Sequence, residues 1–476
     1  MYTTRDLEEI LPDDTIRTVD ERITDVVEGK PAPTVDDQTD MQKHKFWSTQ
    51  PVPRLREGPP LDDGYIEASK PREEVRQEPY PLPKDFEWST LDIDDPEQAS
   101  RCFSWYISTS FYQIKELHDL LSLHYVEDKD ASLRFHYSSE FLQWALKPPG
   151  YFKEWHVGVR VSSNKKLVAF ISGVPMALRV RGKQINYICV HKKLRSKRLA
   201  PVLIKEVTRQ VHLQGIFQAI YTAGVVIPTP ISVCRYYHRS LNIPKLLAVG
   251  FAFVPRNMTA ARMIKTNQVS ESPTLNIRPM EEKDVASVAD LFTKYMRRFD
   301  MAHIMSLEDV YHYFLSGRGT GGIGDGGEGR KVGQVTWTYV VENSDAHEIT
   351  DFFSFYILPS TIIRSPNPNY GKLEAGYLYY YATDVAFEDG AEEDGRLKQR
   401  LQTLIGDALV IANQAKLDVF NALTLMDNVP ILEDLKFGPG SGLLNFYLYN
   451  WRTAKLAGME DEGGTKAGRG LGVVML

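Results

Sequence analysis

The sequence predicts an α/β protein made of two similar halves, and three observations support this fold class. Short runs rich in β-branched and aromatic residues, typical of strands, alternate with longer segments in which apolar residues recur every three or four positions, as in amphipathic helices. The order of these segments in the first half is repeated in the second. The 476 residues are 43% hydrophobic, enough to bury large cores. Because neither half covers its sheet alone, we expect one compact body.

The first half is predicted to contain a strand, helical material, a pair of strands joined by a turn, a further strand, a long helix and a final strand. The first strand occupies residues 86–92, and the helical material follows it and ends at about residue 123. The remaining elements occupy, in order, residues 154–161, 167–174, 184–190, 199–214 and 218–226. The second half is predicted to repeat the order strand, helix, paired strands, helix and strand. Its elements occupy residues 276–280, 282–299, 336–341, 350–356, 397–415 and 419–425. The two predicted halves therefore span residues 84–270 and 271–476.

The first eighty residues differ in composition from the rest of the chain. Residues 1–40 hold twelve acidic residues against four bases, with scattered prolines, which predicts a mobile acidic tail. Residues 41–83 begin with an aromatic and basic segment and continue rich in proline, which predicts an extended arm along the body.

Composition argues against several classes of protein. A net charge of −6 argues against a dedicated nucleic-acid binder. No apolar run reaches the roughly 18 residues that a membrane span needs, and the N-terminus does not have the pattern of a signal peptide. The three cysteines, Cys102, Cys189 and Cys234, lack zinc-site spacing. We therefore expect a cytoplasmic protein without a structural metal.

A basic cluster precedes the long helix of the first half. Five of the seven residues from Lys192 to Arg198 are Lys or Arg, and the helix predicted from residue 199 follows directly. A helix start offers unpaired N–H groups and the positive end of the helix dipole, so this cluster is suited to bind phosphates. A solvated basic turn explains the same composition, and that alternative stays open.

Two motifs resemble the signatures of the N-myristoyltransferase family, and its fungal members in particular. Residues 184–192 read QINYICVHK, where the family pattern is roughly Glu-Ile-Asn-Phe-Leu/Ile-Cys-Val/Ile-His-Lys; residues 436–442 read KFGPGSG, where the family has Lys-Phe-Gly-x-Gly-Asp-Gly. Each motif departs at one polar position: Gln184 replaces a glutamate and Ser441 replaces an aspartate. The resemblance extends over about residues 44–476.

The resemblance implies a fold, a reaction and a co-substrate. The fold is a tandem pair of GCN5-related acyltransferase units around a saddle-shaped mixed sheet. The reaction moves a myristoyl group from myristoyl-CoA to the N-terminal glycine of a protein, without a prosthetic group, by a chain expected to be a monomer. Residues 195–200 correspond to the pyrophosphate loop, although Arg198 stands where that loop usually has its first glycine. The implied acyl-CoA contacts are His44, Lys45, Phe46, Trp47, Ile188, Cys189, Val190, Arg195, Ser196, Lys197, Arg198, Leu199 and Ala200.

Transfer of an acyl group to an amine also needs an oxyanion site and a base. By resemblance, the backbone N–H groups of Tyr187 and Ile188 bind the thioester oxygen, and a β-bulge there would free them from the sheet. The α-carboxylate of Leu476 is the implied base, with Asn186 and Thr222 near the amine. The chain ends in the apolar segment 472–476, which favours a buried terminus over a frayed one.

The resemblance also implies a peptide groove that starts at the reactive amine. Leu133 and His136 depart from the family pattern beside it, and Ser441 keeps only a neutral hydrogen bond where the family carboxylate would pair with a basic substrate residue. The implied groove residues are Val126, Glu127, Asp128, Phe135, Tyr137, Tyr236, His238, Phe251, Ser360, Tyr377, Ser441 and Leu444.

Two other functions are compatible with the same residues, and two segments are predicted to be insertions. Cys189 and His191 share a strand face and could act as a thiol acyltransferase pair. A non-catalytic acyl-CoA or lipidated-peptide binder would share the pocket and lack the base.

Residues 101–112 look inserted, and the glycine-rich segment 316–333 is predicted to be a flexible surface loop.

Overall fold

The computed structural model describes most of the chain after the acidic tail. The described residues are 46–54, 58, 60–93, 114–123, 132–191, 199–227, 229–327, 329–345, 347–363, 367 and 370–476, with the backbone alone for 184–191. The predicted tail 1–40, the inserted segment 101–112 and the basic cluster 192–198 lie outside them.

The first half contains seven strands and four helices within the described residues, and residues 114–123 are also helical. The strands are β1 Phe86–Thr90, β2 Leu133–Phe135, β3 Val157–Val161, β4 Leu167–Val180, β5 Lys183–His191, β6 Gln218–Ala223 and β7 Ser232–Ser240. The helices are α1 Ser139–Leu146, α2 Leu199–His212, α3 Ile243–Ala248 and α4 Ala260–Thr266.

The second half contributes ten strands and four helices to the part of the chain described. The strands are β8 Ile277–Pro279, β9 Met301–Ile304, β10 Thr336–Glu342, β11 Ile349–Ile357, β12 Ser360–Ile362, β13 Lys372–Leu373, β14 Ala375–Thr383, β15 Val419–Leu423, β16 Gly438–Tyr449 and β17 Leu471–Gly472. The helices are α5 Val285–Met296, α6 Leu307–Tyr311, α7 Arg396–Gln414 and α8 Val429–Leu432. Within the described residues the predicted strands and helices are present, with ends shifted by a few residues. Of the helical material predicted up to about residue 123, only 114–123 is described. β4 is the largest difference because it continues to Val180 rather than to residue 174.

Strand order confirms that the two halves repeat one α/β unit and form one body. The first-half sheet runs β1-β3-β4-β5-β6 and the second-half sheet runs β8-β10-β11-β14-β15. In each half the last pair, β5 with β6 and β14 with β15, is parallel. The halves then exchange strands, because β16 lies between β6 and β7, and β7 lies between β16 and β15. Neither half can therefore complete its sheet without the other.

Helix α2 covers one face of the first-half sheet. Leu199, Leu203 and Val207 are buried one helical turn apart and belong to the same apolar cluster as Ala169 of β4. Removing such a stripe of side chains from water is the main source of stability for a surface helix. The helix is thus fixed in the core from its first residue, directly after the basic segment 192–198.

The glycine-rich segment 316–333 lies at the surface, as predicted. Thr320 and Val332 exchange two backbone hydrogen bonds of 3.0 Å, and Arg330 donates to Glu374 Oε2 at 2.8 Å. Gly319 has a φ of +70°, and a Cβ there would lie 2.6 Å from the Val332 carbonyl oxygen, so the turn requires glycine. The segment is a surface loop joined to the body through Arg330.

His156 makes the stability of the fold depend on pH. Its side chain is fully buried, and burial lowers its pKa from 6.5 to about 4 despite a hydrogen bond of 3.1 Å from the ring to the Leu146 carbonyl. Because the folded pKa lies below the unfolded one, stability from this group is complete above pH 6.5 and is lost as the pH falls toward 4. We expect the loss to reach about 2 kcal/mol at pH 5 and about 3 kcal/mol at pH 4.

The variant His156→Gln keeps a donor for the carbonyl but has no titrating group. Urea unfolding at pH 7 and pH 5 should show that the natural chain loses about 2 kcal/mol more than this variant between the two pH values. Equal losses in the two proteins would contradict the assignment.

Candidate active site

The predicted oxyanion segment lies on β5, between β4 and β6. Tyr187 and Ile188 lie opposite Met176 and Pro175 of β4, and the β4–β5 register has no shift along its whole length. The described backbone thus has no bulge on this side that would free the two amides. On the other side, the parallel pairing with β6 covers Tyr187–Cys189 and goes no further along β5. The two parallel strands therefore separate beyond Cys189, in the direction of the basic segment.

The C-terminal segment returns to this sheet. Strand β17 pairs in parallel with β9, which pairs with β4, so that Gly472 is level with Arg179 of β4. An extended chain advances about 3.3 Å per residue. If the chain continued at that step beyond β17, Leu476, four residues further, would be level with Pro175, which lies opposite Ile188. The register of β17 therefore directs the end of the chain toward the level of the predicted oxyanion amides.

Tertiary contacts hold the last residues in place. Val473 is 0% exposed and Val474 is 5% exposed, and the Val474 N–H donates to the Tyr380 hydroxyl at 3.0 Å. Met475 and Leu476 are partly buried and pack against the main core. The segment that precedes the terminus therefore packs into the core of the protein, as its apolar sequence predicts.

A charged cluster, which we call the C-terminal clamp, fixes the chain just before β17. Arg469 donates to the buried carboxylate of Asp427 and, at 2.9 Å, to Glu392. Asp427 also accepts a hydrogen bond of 2.5 Å from Tyr295. Burial alone raises the pKa of Glu392, but hydrogen bonds from Lys466 and Arg469 outweigh burial and lower the pKa to about 2. The clamp ties the last part of the chain to helix α5 and to the turn after β15.

Five of the predicted groove residues gather around one aromatic cluster. The ring of Phe135 lies 6.0 Å from that of Tyr137 and 6.4 Å from that of Tyr377, measured between centroids. Burial raises the pKa of Tyr236 to about 12 and raises that of Tyr137 well above its ordinary value, and nearby tyrosines add to the latter shift. Ser360 on β12 lies opposite Phe135 on β2. These phenols stay neutral and can present hydroxyl groups inside an apolar wall.

His238 and Phe251 lie together beside this cluster. The two rings are 5.7 Å apart at a steep angle, and His238 Nδ1 lies 2.7 Å from the Asn421 side-chain oxygen. Burial lowers the pKa of His238, while the hydrogen bond from its ring to Asn421 opposes that shift. Asn421 also bonds to the hydroxyl of Tyr377, whose pKa is raised by burial. Asn421 was not predicted as a site residue, although it is the polar residue in the otherwise apolar strand β15.

The second motif forms an irregular edge of the groove. The β7–β16 register shifts between Pro439 and Leu443, so Gly440 and Ser441 lie in a bulge. A Cβ at Gly440 would lie 2.3 Å from the His238 ring, so only glycine allows this approach. Ser441 is exposed next to it. Leu444, after the bulge, lies opposite Cys234 of β7 and is half-buried.

The arm residues pack on β6 from the other face of the sheet. Trp47 stacks on Tyr221, with 5.3 Å between centroids and an angle of 8°, and Phe46 meets Trp47 edge-on at 5.2 Å. Thr222, the next residue of β6, is half-buried opposite Phe446 and belongs to the face away from the arm because successive residues of a strand alternate. Strand β6 thus carries an arm contact and a predicted catalytic residue on its two faces.

Several predicted site residues fall where the structure gives no side-chain description. Leu199 and Ala200 are described and begin helix α2. The residues outside the described range are His44, Lys45, Val126, Glu127, Asp128, Arg195, Ser196, Lys197 and Arg198, and the backbone alone is described for Asn186, Tyr187, Ile188, Cys189 and Val190.

The described residues include neither a cluster that could bind a metal ion nor a helix that could cross a membrane. Among them, no group of three or more His, Cys, Asp or Glu side chains is placed to hold a metal ion. In the same part of the chain, no helix is both long enough and apolar enough to pass through a bilayer.

Fold and site define an α/β protein of two interlocked repeats, with an aromatic groove where the repeats meet. Both halves match models of one family, Myristoyl-CoA:protein N-myristoyltransferase: its N-terminal domain matches residues 65–234 and its C-terminal domain residues 248–474. The chain belongs to this family.

Relatives and solved structures agree with the family match. The Glycylpeptide N-tetradecanoyltransferase of Emericella nidulans is 50% identical over 450 residues, which cover 92% of this chain and 84% of the relative. The Glycylpeptide N-tetradecanoyltransferase of Schizosaccharomyces pombe is 47% identical over 425 residues, which cover 88% of this chain and 85% of the relative. The crystal structure of Saccharomyces cerevisiae N-myristoyltransferase with bound MyristoylCoA superposes with a TM-score of 0.80 at 43% identity, covering 91% of this chain and 100% of that chain.

Proposed function

We propose that this protein transfers the myristoyl group of myristoyl-CoA to the α-amine of an N-terminal glycine, by direct attack of the amine on the thioester. Family membership supports the reaction. The observation that carries the mechanism is the buried return of the C-terminal segment beside β9, in a register that directs the chain toward the level of Ile188. A binding protein without catalysis would have no need to fix its own terminus there.

In the proposed mechanism, the neutral amine attacks the thioester carbon. The N–H groups of Tyr187 and Ile188 stabilise the developing oxyanion, which requires them to turn out of the ladder that β5 forms with β4 and β6. The α-carboxylate of Leu476 removes a proton from the amine, and Asn186 and Thr222 orient it. The C–N bond forms, the C–S bond breaks, and CoA leaves as the thiol after taking up a proton.

Proton transfer to this carboxylate needs help from the site. In water an α-amine has a pKa of about 7.7–8.0 and an α-carboxyl about 3.3–3.7, so the transfer is uphill by roughly 5–6 kcal/mol. Burial raises the pKa of an acid and lowers that of an amine, which narrows the gap. Partial burial of Leu476 against the core acts in this direction.

The two halves divide the substrates between them in this proposal. The first half and the arm hold acyl-CoA, through Arg195–Ala200 and through Phe46 and Trp47. The second half supplies the base and four of the twelve groove residues, Ser360, Tyr377, Ser441 and Leu444, and the first half supplies the other eight. The peptides are the N-termini of newly made or newly exposed proteins that start with glycine, and the protein acts as a monomer in the cytoplasm.

The test is a direct assay of the product. The protein is mixed with myristoyl-CoA and a peptide that starts with glycine, and the acylated peptide is sought by mass spectrometry. A matched peptide that starts with alanine is the control. Acylation of both peptides at one rate, or of neither, would reject the proposal.

Ser441 gives a prediction about peptide choice. It is exposed in the bulge beside His238, and a serine offers only a neutral hydrogen bond to a cationic side chain of the substrate. The variant Ser441→Asp should raise the kcat/KM ratio of lysine-containing to neutral peptides by roughly tenfold, since a hydrogen bond to a charged group is stronger by about 1–2 kcal/mol. Ser441→Asn introduces a neutral side chain of the same size as aspartate, so it should leave the kcat/KM ratio unchanged. If both variants give the ratio of the natural chain, Ser441 does not face the substrate.

A further inference from the structure

The segment between helices α3 and α5 contains an exposed surface that the proposed reaction does not use. Part of it is the loop after α3 and the rest is helix α4, none of whose residues is buried. We call it the 253–265 surface. Its members are three apolar and three cationic side chains, all exposed: Phe253, Val254, Arg256, Arg262, Ile264 and Lys265.

The apolar side chains of this surface are unusually exposed for their size. Phe253 is 79% exposed, Val254 38% and Ile264 43%. A single exposed apolar residue is common on soluble proteins. Three of them within twelve residues, interleaved with cations, form the pattern of an interfacial segment instead.

The segment is firmly held at both ends although its middle is exposed. At one end the Phe251 N–H donates to the Leu246 carbonyl at 2.9 Å. At the other, the buried guanidinium of Arg239 donates to the side chain of Asn267 at 3.0 Å and to its carbonyl at 2.9 Å. Lys436 donates to the Thr266 carbonyl at 2.6 Å, at the end of α4. The exposed apolar side chains are thus presented by a fixed scaffold.

The sequence around this surface is one-sided in charge, although Glu271 lines the same pocket as Ile264. Residues 207–270 contain no Asp or Glu, although the whole chain has 62 acidic residues and a net charge of −6. The first acid after this stretch is Glu271. Among the described residues, no carboxylate lies within ion-pair distance of Arg256, Arg262 or Lys265. Their charge is therefore available to an external anion.

We propose that the 253–265 surface docks the protein on a lipid bilayer that contains anionic lipids. Three cations facing the headgroups are attracted by the negative surface potential. Phe253, Val254 and Ile264 would enter the boundary between headgroups and acyl chains, which favours exposed aromatic and aliphatic side chains. An acidic polypeptide would satisfy the cations and leave the apolar side chains without a partner.

The position of the surface gives this docking a use. Phe251, whose ring contacts His238 in the groove, is two residues from Phe253. The surface therefore begins two residues from a side chain of the groove, and the product of the proposed reaction carries a fatty acyl chain that bilayers take up. The docking itself does not depend on the reaction, so the two proposals can fail separately.

The test measures binding of the full-length protein to vesicles by co-sedimentation. Vesicles of phosphatidylcholine with phosphatidylserine should bind the protein, and vesicles of phosphatidylcholine alone should not. Since each cation contributes roughly a fivefold change in affinity, the triple variant Arg256→Gln, Arg262→Gln, Lys265→Gln should bind about 100-fold more weakly. Phe253→Ser should weaken binding roughly tenfold through lost apolar burial.

A matched control removes the same number of charges elsewhere. Lys70, Lys84 and Lys115 are exposed on other parts of the protein, and their triple change to Gln should leave vesicle binding within about twofold of the natural chain if the location of the charge matters. Both triple variants and Phe253→Ser should acylate a short soluble peptide at the natural rate, which separates docking from catalysis and from misfolding.

Two outcomes would overturn the proposal. Equal loss of binding in the two triple variants would show that only net charge matters. If Phe253→Ser binds vesicles like the natural chain and a poly-glutamate peptide displaces the protein from them, the surface is a site for acidic polypeptides and not for a bilayer.

Discussion

Deleting Leu476 should lower single-turnover transfer by about 10²–10⁴-fold, the usual contribution of a general base. The deletion moves the α-carboxylate back to Met475, roughly 3.3 Å along the chain, so the carboxylate no longer reaches the level of the oxyanion amides. Binding of myristoyl-CoA should persist, because the arm and the start of α2 are unchanged. The measurement is quenched single turnover with acyl-CoA bound in advance, alongside a separate binding isotherm.

The control for this deletion keeps the carboxylate and changes only the side chain. Leu476→Met leaves the chain at its natural length, so the variant should react within a few-fold of the natural rate. If the deletion and the substitution react equally fast, the terminal carboxylate is not the base. If the deletion abolishes acyl-CoA binding as well, the terminus has a structural role instead.

Asp427→Asn should destabilise the fold by about 3–5 kcal/mol, because it removes a buried carboxylate and leaves the cations Arg298 and Arg469 with Glu392 alone. Asp427 is 3% exposed, and it accepts hydrogen bonds from Arg469 and Tyr295. The same change should lower kcat, since the clamp fixes the chain that leads to the C-terminus. Urea unfolding gives the stability, and assays on the folded fraction give kcat.

A surface ion pair provides the comparison. Lys398 and Asp434 lie 2.7 Å apart with about half of each side chain exposed, so Asp434→Asn should cost less than about 1 kcal/mol. In a double-mutant cycle, Asp427→Asn and Arg469→Gln should be strongly non-additive if they form one unit. Additive losses, or equal losses for Asp427→Asn and Asp434→Asn, would contradict the role given to the clamp.

The spacing of apolar residues along the chain predicted most of the strands and helices. The features that it did not predict have physical reasons. Strand β14, Ala375–Thr383, is buried on both faces, so it has no alternation of apolar and polar residues that would mark it as a strand. Strand β16 begins with Gly438–Gly442, a composition typical of a turn, and the structure uses these residues as a bulge within the strand. Asn421 gained its place in the site from partners on β7 and β14, far from it in sequence.

The sequence by itself determined the α/β class, the duplicated order of elements, the family motifs and the apolar end of the chain, because each depends on residues that are neighbours along the chain. Only the tertiary structure decided that the halves exchange β7 and β16, that the last residues are held beside β9 by Tyr380 and the C-terminal clamp, and that Phe253 and its neighbours stay exposed. These features arise from pairing and burial between segments up to hundreds of residues apart, and such contacts leave no periodic signal in the chain.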